Sequence, residues 1–273
     1  MGGGATARML SVPPSPAFWI AVACYLLATG ALLLVLAGRA RFRTLALALV
    51  GIAFAAHGTD IALRGVAHVH PAQSVREALG FLAFILTGGY LLASTRYRLT
   101  LGGAAVMPVA LVMLLLARLT PAGAPEELST LGRVHIVLAT VGVGVFAVAS
   151  VLSIIYLAED RALRKKRFDT AAFTEGGAPL EALDRMSHRL VWFGFPIFTI
   201  ALVLGAIWTA RLGEDPLRVE YALAAITWCA YAALLVMRQV YGWRARKAAR
   251  LTLAGFAAAV LVLAIYLIRR MGA

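Results

Sequence analysis

Eight long apolar stretches occupy most of this 273-residue chain. An α-helix needs about 20 consecutive apolar residues to cross the hydrocarbon core of a bilayer, and each stretch is close to that length. The approximate spans are 17–38, 44–63, 78–95, 99–117, 134–157, 189–210, 220–240 and 251–268. The sequence therefore predicts an all-α, polytopic membrane helix bundle with about eight transmembrane helices.

The overall composition agrees with this pattern. Hydrophobic residues make up 62% of the chain and charged residues 14%, whereas a soluble domain has roughly 45–50% apolar and about 25% charged residues. The apolar stretches leave no room for an attached soluble domain. We therefore expect residues 1–273 to form a single integral-membrane domain, whose only sizeable loop is the basic segment near 159–188.

Basic residues are distributed unevenly between the connecting segments. Of the 26 Lys and Arg residues, 17 fall in the segments after the first, third, fifth and seventh helices. Since Lys and Arg accumulate on the cytoplasmic side of membrane proteins, this pattern predicts cytoplasmic basic loops and places both termini outside, across a bacterial inner membrane. The net charge of +13 is explained by this topology and by contacts with anionic membrane lipid, so no nucleic-acid partner is predicted.

The basic segment also contains a helical pattern. Leu180, Leu183 and Met186 recur at helical spacing beside charged residues, which predicts a short interfacial helix leading into the sixth span. A solvated connector is the alternative interpretation of the same residues.

Familiar enzyme motifs are absent from the sequence. It has no Gly-rich phosphate loop, nucleophile elbow or zinc-protease motif, and Cys24 and Cys229 do not form a metal-binding pair. No catalytic residue is predicted, and the chain is better explained as a non-enzymatic protein.

Ionisable residues inside the spans are the remaining functional clue, because they are energetically unfavourable in a membrane. In the second span, His57, Asp60 and Arg64 are one turn apart and share a helix face near its outer end. Asp60 could orient the imidazole as a hydrogen-bond acceptor, or it could pair with Arg64. Membrane histidines also serve as interhelical hydrogen-bonding groups.

A second histidine, His135, begins the fifth span at the same outer side and follows Arg133. Two histidines on different helices could ligate one haem iron, with Arg64 and Arg133 meeting its propionates. Trp208, at the outer end of the sixth span, could stack on the haem or anchor that helix in the interface.

Several sequence blocks in 135–256 resemble the cytochrome c assembly family of haem-handling membrane proteins. These blocks are 135–138, 153–157 and the basic run 164–166; 183–185 and 194–196 with Thr199 and 205–208; and 226–228 with Tyr231, Arg238, 242–244, Ala248 and 255–256. In the first half, His57 followed by Arg64 resembles the HemX-like, or YpjD-like, branch of that family. By position, His135 matches the outer haem-ligating histidine of the family.

The sequence departs from the family pattern at three places. The segment 211–216 lacks the flanking tryptophans of the family's haem-cradling loop, Val236 replaces a common histidine, and no histidine follows the eighth span. Either His57 substitutes as second ligand, or this branch has lost full haem delivery.

Two functions follow from the resemblance. The first is binding or translocation of haem in cytochrome c biogenesis, with His57 and His135 at the iron. The alternative is a haem-free accessory or regulatory protein that stabilises a haem-synthesis or cytochrome-assembly partner.

Overall fold

A computed structural model describes residues 14–67, 69–71, 73–119, 129–166, 178–213 and 218–271. All regular structure in these residues is helical, as predicted. The helices are α1 (Pro16–Leu36), α2 (Arg43–Val66), α3 (Val75–Ser94), α4 (Thr100–Leu119), α5 (Thr130–Arg164), α6 (Leu180–Arg211), α7 (Val219–Val240) and α8 (Arg246–Met271), with a 3₁₀ turn at Ala40–Phe42. Eight segments are long and apolar enough to cross a membrane, which confirms the predicted number.

Serine side chains cap the N-termini of three of the helices. The Ser15 hydroxyl accepts a hydrogen bond from the Phe18 N–H, with Pro16 in the first helical position. Ser74 caps α3 by accepting from the Glu77 N–H, and Ser129 caps α5 by accepting from the Gly132 N–H. The first N–H groups of a helix have no partner within it, so these caps fix where the spans begin.

The helices pack as two groups of four. In the first group α1 packs along α2 and α4, while α3 packs along α2 and α4. In the second, α5 packs along α6 and α8, while α7 packs along α6 and α8. Helix α5 also lies against α3 and α4 and so joins the two groups.

Successive helices run antiparallel, which gives the bundle two distinct ends. Ser15 at the start of α1 contacts Asp60 late in α2, and Gly132 at the start of α5 lies against Trp208 late in α6. We call the end at which α1, α3, α5 and α7 begin the His135 end. The opposite end, which holds the loops after these four helices, is called the basic end.

Glycines allow α5 to approach α6 and α3 closely. A Cβ atom on Gly142 would lie 3.2 Å from the Cα of Phe198, so the backbones of α5 and α6 nearly touch. A Cβ on Gly144 would lie 2.6 Å from Ile85 of α3, and one on Gly89 would overlap Val148. The absence of a side chain at these glycines therefore allows the helices to pack closely.

The outward surface of the bundle is apolar. Large side chains on several helices are about half exposed or more, among them Trp19, Leu26, Leu92, Phe193 and Val260. An apolar surface this extensive is unusual for a soluble protein, whereas lipid would cover it.

The structure corrects the predicted loop at 159–188. Helix α5 continues to Arg164, and α6 already begins at Leu180. The residues interpreted as a short interfacial helix, Leu180 to Met186, are instead the first two turns of the 32-residue α6. A helix that packs against protein can continue past the bilayer, since its polar residues then lie outside the hydrocarbon. The middle of the loop, 167–177, lies outside the described residues.

Candidate functional site

His135 lies near the start of α5, where its ring faces α6. Its Nδ1 atom is 2.7 Å from the carbonyl oxygen of Ala201. A carbonyl can only accept, so Nδ1 carries the ring proton and the Nε2 lone pair remains for another partner. Space for the ring comes from Gly205, where a Cβ atom would lie 2.6 Å from the His135 Cε1.

Trp208 completes this part of the site. Its ring centroid is 6.0 Å from that of His135, with an interplanar angle of 39°. The indole packs over Gly132, where a Cβ atom would approach the ring to 2.9 Å. Arg133, in the first turn of α5, is exposed. His135 and Trp208 are therefore neighbours, and Arg133 lies two residues before His135 in the sequence; a haem site formed by these residues stays a prediction.

His57 occupies a different, enclosed position on α2. It is 1% exposed, and its Nδ1 atom lies 3.1 Å from the hydroxyl oxygen of Tyr25. The Tyr25 hydroxyl also lies 3.1 Å from the Thr87 hydroxyl, and Phe84 packs edge-on against the imidazole. The group that orients His57 is thus Tyr25 of α1, not Asp60.

Asp60 and Arg64 belong to an ion-pair cluster at the His135 end of α1–α4. The Arg64 Nε donates to Asp60 at 3.1 Å, and its Nη1 donates to Glu77. The Arg118 Nη2 donates to both Asp60 oxygens, at 3.3 and 3.0 Å, and the Ser15 hydroxyl donates to Asp60 as well. Of the two roles left open for Asp60, the structure shows the pairing with Arg64.

The two histidines lie in different helix groups. His57 contacts α1 and α3, whereas His135 contacts α6. Among the hydrogen bonds and ring contacts of the described residues, the two imidazoles share no partner. Shared ligation of one iron by His57 and His135 stays a prediction.

The other positions singled out from the sequence have simpler environments. Val236 is 51% exposed on the outer surface of α7, so a side chain there points away from the bundle. Residues 214–217 and His68 lie outside the described residues. Within the described part of the chain, His, Cys, Asp and Glu side chains form no group of three suited to a metal ion.

A second polar site ties the basic end together. Arg238 of α7 donates two parallel hydrogen bonds to Asp184 of α6, at 2.9 and 2.7 Å. Asp184 also accepts from the backbone N–H of Ala245, just before α8. Three helices are therefore connected through one carboxylate, and both members of the ion pair belong to the sequence blocks that carried the family resemblance.

Sequence reasoning missed several members of these sites. Tyr25, Arg118 and Glu77 lie one per helix, with no motif around them, and hydropathy does not reveal which way they face. Gly205 did carry a signal, because it precedes Trp208 in one of the resembling blocks. Its role as the space for the His135 ring required the structure.

Comparison with known proteins identifies the family. The family model described as cytochrome C assembly protein matches residues 72–273. A cytochrome c biogenesis protein CcsA from Synechococcus elongatus is 28% identical over 241 residues, covering 68% of this chain and 72% of the relative. The protein of the same name from Guillardia theta is 27% identical over 215 residues, covering 68% and 69%. No solved structure matches this chain significantly.

The matched region contains His135, Trp208, Asp184 and Arg238, whereas α1 and α2, with His57, precede it. The HemX-like branch stays a prediction, since these relatives do not distinguish it. The described part of the chain has eight helices that are able to span a membrane, and the family model matches most of the chain. The chain is an integral membrane protein that belongs to the cytochrome c assembly protein family.

Proposed function

We propose that this protein binds haem and passes it on in cytochrome c biogenesis, with His135 as a ligand of the haem iron. The observation that carries the proposal is the hydrogen bond from the His135 Nδ1 to the Ala201 carbonyl, within the region matched by the family. The relatives are named for cytochrome c biogenesis, which supports the biological process.

The residues around His135 suit haem as cargo. Haem iron binds a neutral imidazole nitrogen, and histidine ligands in proteins commonly donate their other N–H to a carbonyl or carboxylate. Trp208 offers an aromatic face beside the ring. Arg133, exposed and two residues away, can meet a propionate, whereas two of the three Arg64 nitrogens already pair with Asp60 and Glu77.

His57 is the candidate for the second axial position. Since its Nδ1 contacts Tyr25, it would bind iron through Nε2. The ring is 1% exposed, so haem can reach it only if the helices around it separate. We therefore expect ligation by His135 to be the first step.

The test is the visible spectrum of full-length protein purified from haem-replete cells. We expect a Soret band in the wild type that is lost in His135→Ala. The control is His70→Ala, which changes an exposed histidine in the loop before α3 and should leave the band intact. A His57→Ala spectrum distinguishes one histidine ligand from two.

Two results would contradict the proposal. One is wild-type protein without haem, and the other is a His135→Ala spectrum identical to that of the wild type. Either result would favour the accessory function, in which the protein stabilises a partner without carrying haem.

We also propose that the basic end faces the cytoplasm of a bacterial inner membrane, because basic loops are retained on that side. Arg96 at the basic end and Arg211 at the His135 end are both exposed. In a Cys229→Ser background, Arg211→Cys should react with an impermeant thiol reagent in intact cells with a permeable outer membrane. Arg96→Cys should react only after lysis, and the reverse pattern would invert the topology.

A further inference from the structure

We propose that the pocket between Arg64, Arg76 and Arg118 at the His135 end binds a phosphate group, supplied by an anionic lipid headgroup or by free phosphate. The pocket lies between α2, α3 and α4 and is partly open to solvent. His57 and the Asp60 and Glu77 carboxylates also line it. It belongs to the α1–α4 group and is separate from the His135 site.

Three buried donors on the arginines that line this pocket have no hydrogen-bond partner among the described residues. They are the Arg64 Nη2, the Arg76 Nε and the Arg118 Nη1. The side chains of Arg64 and Arg118 are only 8% and 9% exposed. Leaving a buried charged donor unpaired is unfavourable, so three of them around one pocket indicate a missing acceptor.

The protein's own carboxylates hold the guanidinium groups in place but leave these donors free. Arg64 uses its Nε and Nη1 for Asp60 and Glu77, and Arg118 uses its Nη2 for Asp60. The Arg76 Nε is 3.7 Å from Glu77, beyond hydrogen-bond distance. Two guanidinium groups are therefore positioned before any ligand binds, which reduces the entropy lost on binding.

The charge of the pocket also favours an anion. Three guanidinium groups face two carboxylates, which leaves a formal charge of +1, and His57 is the remaining ionisable side chain of the lining. An anion would neutralise this excess beside arginine side chains that are mostly buried, where charge interactions are stronger than in water.

The arrangement of donors points to phosphate among the anions. A phosphate group offers several acceptor oxygens arranged around one atom, and the free donors come from three side chains on three helices. The pocket lies at the ends of α2 and α4, next to the start of α3. The ends of membrane-spanning helices lie at the level of the lipid headgroups.

The experiment measures binding to full-length protein in two arms. In the lipid arm, native mass spectrometry compares retention of phosphatidylglycerol and phosphatidylcholine after exchange from mixed vesicles. In the soluble arm, thermal unfolding in detergent is followed with sodium phosphate and with sodium chloride at equal ionic strength. We expect saturable, selective binding in at least one arm. Binding in the lipid arm alone identifies a headgroup, and binding in the phosphate arm alone identifies the free ion.

Variants assign the binding to this pocket. We expect Arg76→Gln and Arg118→Gln each to weaken the selective binding by about tenfold, the typical effect of losing one charged hydrogen bond. Arg211→Gln, an exposed arginine at the same end of the bundle, is the matched control and should bind as the wild type does. Arg76 makes the weakest internal contact of the three, so Arg76→Gln keeps the test valid if Arg118→Gln fails to fold.

The proposal is overturned if neither arm shows selective binding. It is also overturned if Arg76→Gln binds as tightly as the wild type, because the anion then lies elsewhere. Neither readout involves haem or His135, so a failure of this proposal leaves His135 as the proposed ligand.

Discussion

The Nδ1 atom of His135 lies 2.7 Å from the carbonyl oxygen of Ala201, so the backbone of α6 holds an imidazole of α5. This contact fixes both the tautomer and the orientation of the ring. The hydrogen bond that a ligating histidine donates from its other ring nitrogen influences how tightly it binds metal. A change that displaces the ring should therefore alter ligation even when the histidine itself is retained.

Gly205→Ala is such a change. The added Cβ would lie 2.6 Å from Cε1 and 2.8 Å from Nδ1 of His135, and must push the ring away from Ala201. We expect the haem content of purified protein, measured by the Soret band, to fall by roughly tenfold, as when an orienting partner is lost.

The control for this substitution is Gly30→Ala on α1, where a Cβ would meet nothing within 4 Å. Alanine is the better helix former by up to about 1 kcal/mol, so this variant should keep its haem and unfold at the same or a higher temperature. Equal haem content in Gly205→Ala and the wild type would show that the ring position does not govern binding.

Hydropathy alone predicted the number of helices and the end of the bundle to which each candidate residue belongs. It could do so because the apolar length of a span is set by the bilayer, and antiparallel succession then places His57 and His135 in the same half. The placement of Asp60 and Arg64 on one face also followed from helical spacing alone.

Partners on other helices could not be predicted in this way. The contact of His57 with Tyr25, or of Asp60 with Arg118, depends on how each helix rotates about its axis and on which helices become neighbours. The sequence of an apolar span reveals little about which face of the helix turns toward the protein, because lipid and protein interior are both apolar. The early start of α6 was missed for a related reason: charged residues end an apolar run without ending a helix.

Asp60 stabilises the first helix group by accepting from two arginines at once. Asp60→Asn leaves Arg64 and Arg118 without their shared carboxylate. Removing one partner of a buried ion pair costs roughly 3–5 kcal/mol. We expect a loss of that order in the free energy of unfolding, measured by denaturation in mixed micelles.

The matched control is Glu181→Gln, which breaks the exposed pair between Glu181 and Arg185. Exposed pairs contribute at most about 1 kcal/mol, so this variant should unfold almost as the wild type does. Similar small losses in both variants would mean that water reaches Asp60 in the folded protein.

Tyr25→Phe tests the hydrogen bonds that enclose His57. The substitution removes a hydroxyl shared between the His57 Nδ1 and the Thr87 hydroxyl while keeping the ring. A buried group left unpaired costs about 1–3 kcal/mol, and we expect destabilisation in that range. Tyr241→Phe, at a 66% exposed position, should change the unfolding free energy by less than about 0.5 kcal/mol. Equal stability of the two variants would contradict the structural role of the Tyr25 hydroxyl.

The pair of Asp184 and Arg238 should show strong energetic coupling, because two parallel hydrogen bonds join the two side chains. The side chains are 15% and 11% exposed, so each single variant, Asp184→Asn or Arg238→Gln, leaves a largely buried charge unpaired. We expect each to cost about 3 kcal/mol and the double variant to cost clearly less than the sum, a coupling of about 1–3 kcal/mol.

The neighbouring Arg185 provides the comparison for this cycle, because its side chain is 59% exposed and pairs only with Glu181 among the ion pairs of the described residues. Arg185→Gln should be nearly neutral, and its effect should add to that of Arg238→Gln without coupling. Asp184 retains the Ala245 N–H as a donor in Arg238→Gln, so that variant should be the milder of the two. Strict additivity of Asp184→Asn and Arg238→Gln would show that the two side chains do not form the ion pair in the membrane-embedded protein.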